Sequence, residues 1–475
     1  MRNKFLVFAI IGVLMLTACK NTGNGELVGV SNGKTFFQAD PFGMSYIPMG
    51  SFTMGVGDQD PTGANYIQPK TISVAAFFMD QTEITNSEYR QFVNWVRDSI
   101  ALAILSTNPN FEDVYYYTTN PKTGEDYDYP RLNWNAKIDW NDPEVQEALE
   151  GLYVPEQERF FRRKEVDARK LYYSYEWFDL NAAAKKDMFV EDLGNVDPSN
   201  PFDTDRGWDS LNNAKPNHGA FASRSQGRRD RSVFIKKERI NIYPDTLCWI
   251  SDFAYSYNEP LAKFYFSHPA YEHYPVVGVN YQQAKAFCAW RTSLRNNYTG
   301  GGTTSYNDFR LPTEAEWEWA ARGGYEGNPY PWGGPYTIND KGCYLANFKP
   351  NRGNYAADGG LTTVIVAHYP PNDFNLFDMS GNVAEWTIDA FDESSYNFSW
   401  DLNMSYTYNA KDNDLPAMKR KVVRGGSWKD VYYNIQVTDR SYEYQDTATC
   451  YIGFRCVQSY LGRQKYDGNK SSAIY

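Results

Sequence analysis

The hydrophobic pattern changes character several times along the chain. From Phe5 to Leu16 it is almost unbroken. Residues 20 to about 38 are rich in Gly, Asn and Ser and predict a flexible tether. Order begins near Pro41. Tyr46–Gly55 predicts two short strands around a turn, and Thr71–Met79 a further strand. Three helices have both a start signal and an apolar face. Thr85-Asn86-Ser87-Glu88 is a capping box, in which the Thr hydroxyl and the Glu carboxylate each satisfy a free backbone N–H. Tyr89, Phe92, Val93 and Val96 follow at i, i+3, i+4 and i+7, a single stripe. Asn280-Tyr281-Gln282-Gln283 opens a second helix with Ala284, Phe287 and Cys288 inward. Thr313-Glu314-Ala315-Glu316 opens a third carrying Trp317, Trp319 and Ala320. Between the first two lies residue 98 to 270, rich in Tyr, Trp, Asp and Asn, with one predicted helix around Glu156 to Lys186. A stretch this long without strong periodicity is uncommon inside a compact domain unless it has a task of its own, so it reads as an insertion. After Gly323 short strands alternate with Gly, Pro and Asn turns to about Tyr460, and Arg463–Tyr475 is a polar tail.

The N-terminal run has the layout of a secretory signal: Arg2 and Lys4, an apolar stretch, then a small-residue segment ending Leu16-Thr17-Ala18-Cys19. A dozen apolar residues fall short of the roughly 20 that span a bilayer. The rest of the chain is unusually aromatic, at 17%, with 38 Tyr and 13 Trp. Such side chains bury large areas and are enriched at interfaces. A net charge of −11 argues against nucleic acid as a partner. The basic clusters Arg162-Arg163-Lys164 and Arg228-Arg229 have acids close by and read as solvated faces or partner contacts. Besides Cys19 there are Cys248, Cys288, Cys343, Cys450 and Cys456, an odd number with no C-x-x-C spacing.

Leu-x-Ala-Cys resembles the bacterial lipobox, which implies cleavage after residue 18 and lipidation of Cys19. Six further segments, in order, resemble the formylglycine-generating enzyme (sulfatase-modifying factor) family. They are FMDQTEITNSEYRQF at 78–92, PVVGVNYQQAKAFCAW at 275–290, RLPTEAEWEWAARGG at 310–324, PPNDFNLFDMSGNVAEW at 370–386, RGGSW at 424–428 and GFRC at 453–456. The resemblance implies an α+β, C-type-lectin-related fold poor in regular secondary structure, interrupted by a large insertion. The expected organisation is a signal peptide (1–18), a tether (19–40), the first part of the core (41–97), the insertion (98–270), the second part of the core (271–458) and the tail (459–475).

The family's oxidase needs two thiols just beyond its R/K-G-G-S motif to bind copper, because thiolate suits Cu(I). The matching positions here are Asp430 and Ile435. A carboxylate and an aliphatic side chain cannot make that site, so no copper and no catalysis are expected. A related iron branch uses clustered histidines; the four here, His218, His268, His273 and His368, read as structural or surface residues. The resemblance further implies a Cys288–Cys456 disulfide, for which a loop of about 170 residues gives roughly 4–5 kcal/mol by the chain-entropy model. By elimination, Cys343 could then pair with Cys450. It also implies structural Ca²⁺, an ion that takes six to eight hard oxygens. One site maps onto Asp378 and Glu385 with the carbonyls of Gly381 and Val383. The other maps onto Asn347, the Phe348 carbonyl, Asp358 and the Gly360 carbonyl.

Gly25–Val30, Tyr243–Trp249 and Ser256–Pro260 extend the resemblance to the GldK/PorK lipoproteins of the type IX secretion and gliding apparatus, with the sister GldJ close by. This implies a homo-oligomeric ring built with a periplasmic partner of the GldN/PorN type. Lys20, not Asp, follows Cys19, and no acidic run comes after it, which points to a lipid anchor on the periplasmic face of the outer membrane. The Tyr-rich insertion is the expected partner contact. Two other functions stay open on the sequence: an enzyme on the same fold with a non-copper site, and a calcium-dependent glycan-binding module.

Overall fold

The computed structural model describes residues 40–55, 69–119, 126–179, 234–298, 306–350 and 353–460. Cys19, the tether up to residue 39, the tail beyond residue 460 and His218 lie outside the described residues, whereas Ser459, expected in the tail, is part of a core strand. No helix among the described residues is long and apolar enough to cross a membrane.

Two four-stranded sheets and three main helices make the core. The first sheet holds β1 (Met44–Ile47), β4 (Phe77–Asp80), β14 (Val457–Ser459) and β9 (Phe309–Arg310), in that order and antiparallel throughout. The two ends of the described chain thus meet in one sheet, with Met79 paired to both Ser45 and Val457. The second sheet is β12 (Ser441–Tyr444), β11 (Arg420–Arg424), β10 (Ala384–Ala390) and β13 (Ile452–Gly453), with β10 and β13 parallel. β2 (Gly50–Met54) pairs with β3 (Lys70–Val74), β5 (Tyr116–Thr119) with β6 (Asp126–Leu132), and β7 (Tyr172–Phe178) with β8 (Ile235–Asn241).

Helix α1 is Asn86–Ser106, α2 is Tyr281–Tyr298 and α3 is Glu314–Arg322. The capping boxes at Thr85 and Thr313 form as expected. At α2, Asn280 and Gln283 exchange backbone–side-chain hydrogen bonds of 2.9 Å each, the same reciprocal device. The stripe of α1 meets α2 across a Tyr89–Phe287 stack, and both rings contact Phe454. Trp317, Trp319, Ala320 and Ala321 of α3 pack on Phe52, Ile72, Val74 and Phe77.

Three expectations are corrected. Thr71–Met79 is two strands, β3 and β4, because the chain leaves the first pairing at Ala75, whose N–H donates to the Asn403 side chain at 2.7 Å. The helix expected over 156–186 is absent from its described part. Residues 156–158, 160–162 and 168–170 are single 3₁₀ turns, and 172–178 is β7. The Glu, Arg and Lys there have helix propensity, but no apolar stripe gives a helix a face to bury. The strands expected throughout 324–460 begin only at Ala384 among the described residues. The described residues of 324–383 are instead loops fastened by side chains. Asn372 Nδ2 donates to the carbonyls of Ala320 and Ala321, and Asn382 Oδ1 accepts from Val364 N–H.

Candidate functional site

The Gly pair after β11 sets the geometry of the segment that holds Asp430 and Ile435, the positions expected to match the family's two thiols. Gly425 and Gly426 have φ of +92° and +64°, and a Cβ on Gly426 would sit 2.4 Å from the Asn434 carbonyl oxygen. Only glycine fits there. The turn delivers Ser427, whose hydroxyl and N–H donate to Asp430 Oδ2 at 2.6 and 3.0 Å. Lys429 lies 3.4 Å from Asp430 Oδ1 and stands over the Tyr451 ring. Ile435 points the other way, fully buried with Tyr330, Ala346 and Phe348. Asp430 therefore closes its own turn, and Ile435 belongs to an apolar cluster.

The described histidines do not gather. His268, His273 and His368 are exposed, and His268 Nδ1 accepts from Ala270 N–H in a local turn. No group of three or more His, Cys, Asp or Glu placed to hold a metal occurs among the described residues.

The residues of the first expected calcium site lie in a buried charge cluster. Glu385, on β10, takes both its oxygens to the Arg455 guanidinium at 2.5–2.9 Å and accepts from Trp317 Nε1 at 2.7 Å. Asp378 holds αL backbone, with φ of +55°, and its Oδ2 accepts from Ala367 N–H at 2.7 Å. Its Oδ1 is buried without a hydrogen-bond partner. Gly381, also at positive φ, and Val383 follow, and the Val383 N–H donates to Glu83 at 3.3 Å. Glu83 is fully buried and accepts from Asn382 Nδ2. Burial, reinforced by Asp378 and Glu385, raises the Glu83 carboxyl well above its ordinary range, against the pull of Arg455. Burial pushes Asp378 up to about 6. These residues do not fit a calcium cage, because the Arg455 guanidinium already neutralises both oxygens that Glu385 would offer the ion.

The second expected site fits better. Asp358 Oδ2 accepts from Phe348 N–H at 2.7 Å and Oδ1 from Gly360 N–H at 3.3 Å. Asn347 is fully buried; its Nδ2 donates to the Thr362 carbonyl and to Asn382 Oδ1, and its Oδ1 is left without a partner. An orphaned amide oxygen beside a carboxylate whose pKa burial raises is a donor set that a hard cation would satisfy.

Cys288 and Cys456 face each other with their sulfurs 3.4 Å apart. A disulfide bond is about 2.05 Å long. The expected bridge is therefore a buried thiol contact in this structure, and all five cysteines of the described residues are free. Cys343 is exposed while Cys450 is buried in the cluster that contains Cys248, so the pairing by elimination of Cys343 with Cys450 has no support in the fold.

The sequence reading missed Glu83 and Arg455 as partners of Asp378 and Glu385. Both lie inside quoted motifs, TEIT and GFRC, but nothing local says that they meet across more than 300 residues. It also missed a second buried network, in which Arg424 bonds Glu318, Glu318 bonds Arg322, and Glu314 bonds Arg440.

Comparison with known proteins accords with this architecture. The bovine inactive C-alpha-formylglycine-generating enzyme 2 is 35% identical over 190 residues, 39% of this chain and 50% of that protein. The formylglycine-generating enzyme of Streptomyces coelicolor is 35% identical over 188 residues, 39% and 52% respectively. The mouse formylglycine-generating enzyme is 30% identical over 194 residues, 40% and 45%. The chain thus spans about half the length of these relatives. Among solved structures, PvdO from Pseudomonas aeruginosa aligns over 88% of this chain and 94% of its own, with 17% identity and a TM-score of 0.42. The model of the sulfatase-modifying factor enzyme 1-like domain matches residues 34–151 and 251–460, leaving 152–250 outside the match. The chain belongs to the sulfatase-modifying factor family, that of the formylglycine-generating enzymes.

Proposed function

We propose that this chain is a non-catalytic member of its family, a GldK/PorK-type lipoprotein that anchors and spaces a periplasmic ring of the type IX secretion and gliding apparatus. The observation that carries the non-catalytic reading is the fate of the two copper positions. Asp430 is consumed in a turn with Ser427, and Ile435 is sealed in an apolar cluster. Softness and geometry both oppose Cu(I) there. The rest of the core is retained, as expected of a scaffold that kept the fold and lost the chemistry.

The lipobox-like Leu16–Cys19 supports an anchor on the periplasmic face of the outer membrane. The resemblance to GldK/PorK across Tyr243–Trp249 and Ser256–Pro260 supports a ring with a GldN/PorN-type partner. The stretch 152–250, outside the family match, supports an inserted segment with a task of its own. Its described part exposes Phe160 and Phe161. A structural Ca²⁺ held by Asn347, Asp358 and nearby carbonyls would pin loops that have no strand to hold them.

The test is a mild-detergent pull-down of the tagged, lipidated protein from its native envelope, with mass spectrometry and electron microscopy of the eluate. Rings containing a second periplasmic protein are expected. A lone monomer under several detergents overturns the scaffold reading. The calcium component is read separately. Adding Ca²⁺ to chelator-treated protein should raise Tm, and Asp358→Ala should abolish that rise while Asp373→Ala, at an exposed loop, preserves it. No rise in the unsubstituted protein removes calcium from the reading.

A further inference from the structure

Three stretches of chain converge where the segment outside the family match rejoins the core. The turn at Asp245 leads into the helical turn Cys248–Ser251. Asp245 N–H donates to the Gly278 carbonyl at 2.7 Å, and Gly278 N–H donates to the Thr449 carbonyl at 2.9 Å. Gly278 has φ of +74°, and a Cβ there would sit 2.3 Å from the Asp245 carbonyl oxygen and 3.2 Å from Cys248 Sγ. The absence of a side chain at 278 lets the Cys248 turn lie against the stretch carrying Thr449 and Cys450, just before β13. From the other side, Cys450 N–H donates to Asp252 Oδ2 at 2.8 Å, and Asp252 caps the helical turn of Cys248. Both cysteines are buried, in one cluster with Trp249, Tyr265, Val277 and Val383. The Asp252 carboxylate acts electrostatically on both thiols, and Cys248 acts on Cys450.

We propose that Cys248 and Cys450 form a disulfide that staples the returning end of the 152–250 segment to the C-terminal part of the core. The pairing resolves the odd count. Cys288 and Cys456 face each other, Cys248 has Cys450, and the exposed Cys343 is left over. A loop of about 200 residues is closed, the long-loop case in which a cross-link most restricts the unfolded chain. The oxidant is the disulfide of a thiol–disulfide oxidoreductase. One thiolate attacks it to give a mixed disulfide, and the second thiolate displaces the donor. Two protein thiols lose two electrons and two protons, and the donor disulfide is reduced to a dithiol. Burial raises both thiols well above their ordinary range, so in the closed core they are poor nucleophiles.

The bond rests on the proposed export, since the cytosol keeps such pairs reduced, and the test separates the two. Full-length protein from the native envelope is alkylated under denaturing, non-reducing conditions, digested and mapped by mass spectrometry. The same protein, reduced and unfolded, is refolded in a glutathione redox buffer and mapped again. A peptide pair linking Cys248 to Cys450 in both, with Cys343 alkylated, is the expected result. The link after refolding but not from the envelope supports the pair and overturns export. Alkylation of Cys248 and Cys450 in both samples overturns the proposal. Cys248→Ala and Cys450→Ala supply a second readout. Each should lower Tm by roughly 5–10 °C, and the double variant no further, since one bond is lost in all three. Additive losses mean independent packing effects and also overturn it.

Discussion

Arg455 brings one positive charge into a core that holds three carboxylates, Glu83, Asp378 and Glu385, all of them buried. Glu385 is compensated by direct bonding, whereas Asp378 keeps one oxygen unpaired. Its folded pKa of about 6 lies above the ordinary aspartate value, so between about pH 4 and 6 the native state holds a proton that the unfolded chain releases. Stability from that group is fully present below about pH 4 and is lost as pH rises through 6, leaving a penalty at neutral pH. Asp378→Asn should remove it. Asparagine tolerates the αL backbone that Asp378 adopts and keeps an oxygen for the Ala367 N–H. The variant should gain about 1–3 kcal/mol at pH 7.5, little at pH 4.5, and show a flatter stability profile in denaturant titrations at several pH values. An equal effect at both pH values would mean that the side chain acts through packing alone. Arg455→Met is the opposite case. It strands three acids in the core and should cost about 3–5 kcal/mol at pH 7.5.

Helices α1 and α3 depend on their first turns. Thr85→Ala and Thr313→Ala each remove a capping hydroxyl, and each should cost about 1 kcal/mol in equilibrium unfolding. The two sites share no partner, so the double variant should lose the sum within about 0.5 kcal/mol. A double variant no worse than either single would mean that the two caps are coupled, against the independence their separate partners imply. These elements were legible because a capping box and an i, i+3, i+4, i+7 stripe are local signals. The hairpin of β7 and β8 was not, because its strands are separated by more than 50 residues and its register rests on cross-strand chemistry. Tyr175 donates its hydroxyl and Trp177 its indole N–H to Glu238. The loops of 324–383 were illegible for a related reason. Asn372, Asn382 and Asp358 hold them by bonds to distant backbone, which leave no period in the sequence. The site divides in the same way. The expectation that Asp430 and Ile435 stand where the family oxidase has two thiols comes from their spacing after RGGS. The pairing of Arg455 with Glu385 could not be read that way, because only the fold brings GFRC against β10.

At the scale of the whole molecule, the proposed ring needs a surface that a partner can cover, and the 3₁₀ turn at 160–162 has the features of one. Phe160 and Phe161 are 75% and 87% exposed, and their rings contact each other edge-on rather than the core. Phe161 and Arg162 both have positive φ, 49° and 56°, a conformation costly for non-glycine residues. Two adjacent strained residues that hold two large apolar side chains in solvent do nothing for the stability of the isolated chain. Several neighbouring charges are matched locally, Arg159 and Lys164 to Glu150 and Arg163 to Glu165, and the exposed Arg162 belongs to the same turn. The available contact is therefore two aromatic rings beside one exposed arginine. Phe160→Ser with Phe161→Ser should leave Tm within about 1 °C, because exposed positions contribute little to folding. Recovery of the ring partner in the pull-down should nonetheless fall more than about tenfold, the loss of two buried aromatic anchors. Because the contact is mainly apolar, raising the salt concentration should reproduce only a small part of that loss in the unsubstituted protein. Undiminished recovery from the double variant would remove this turn from the interface and move the search to the rest of the segment outside the family match.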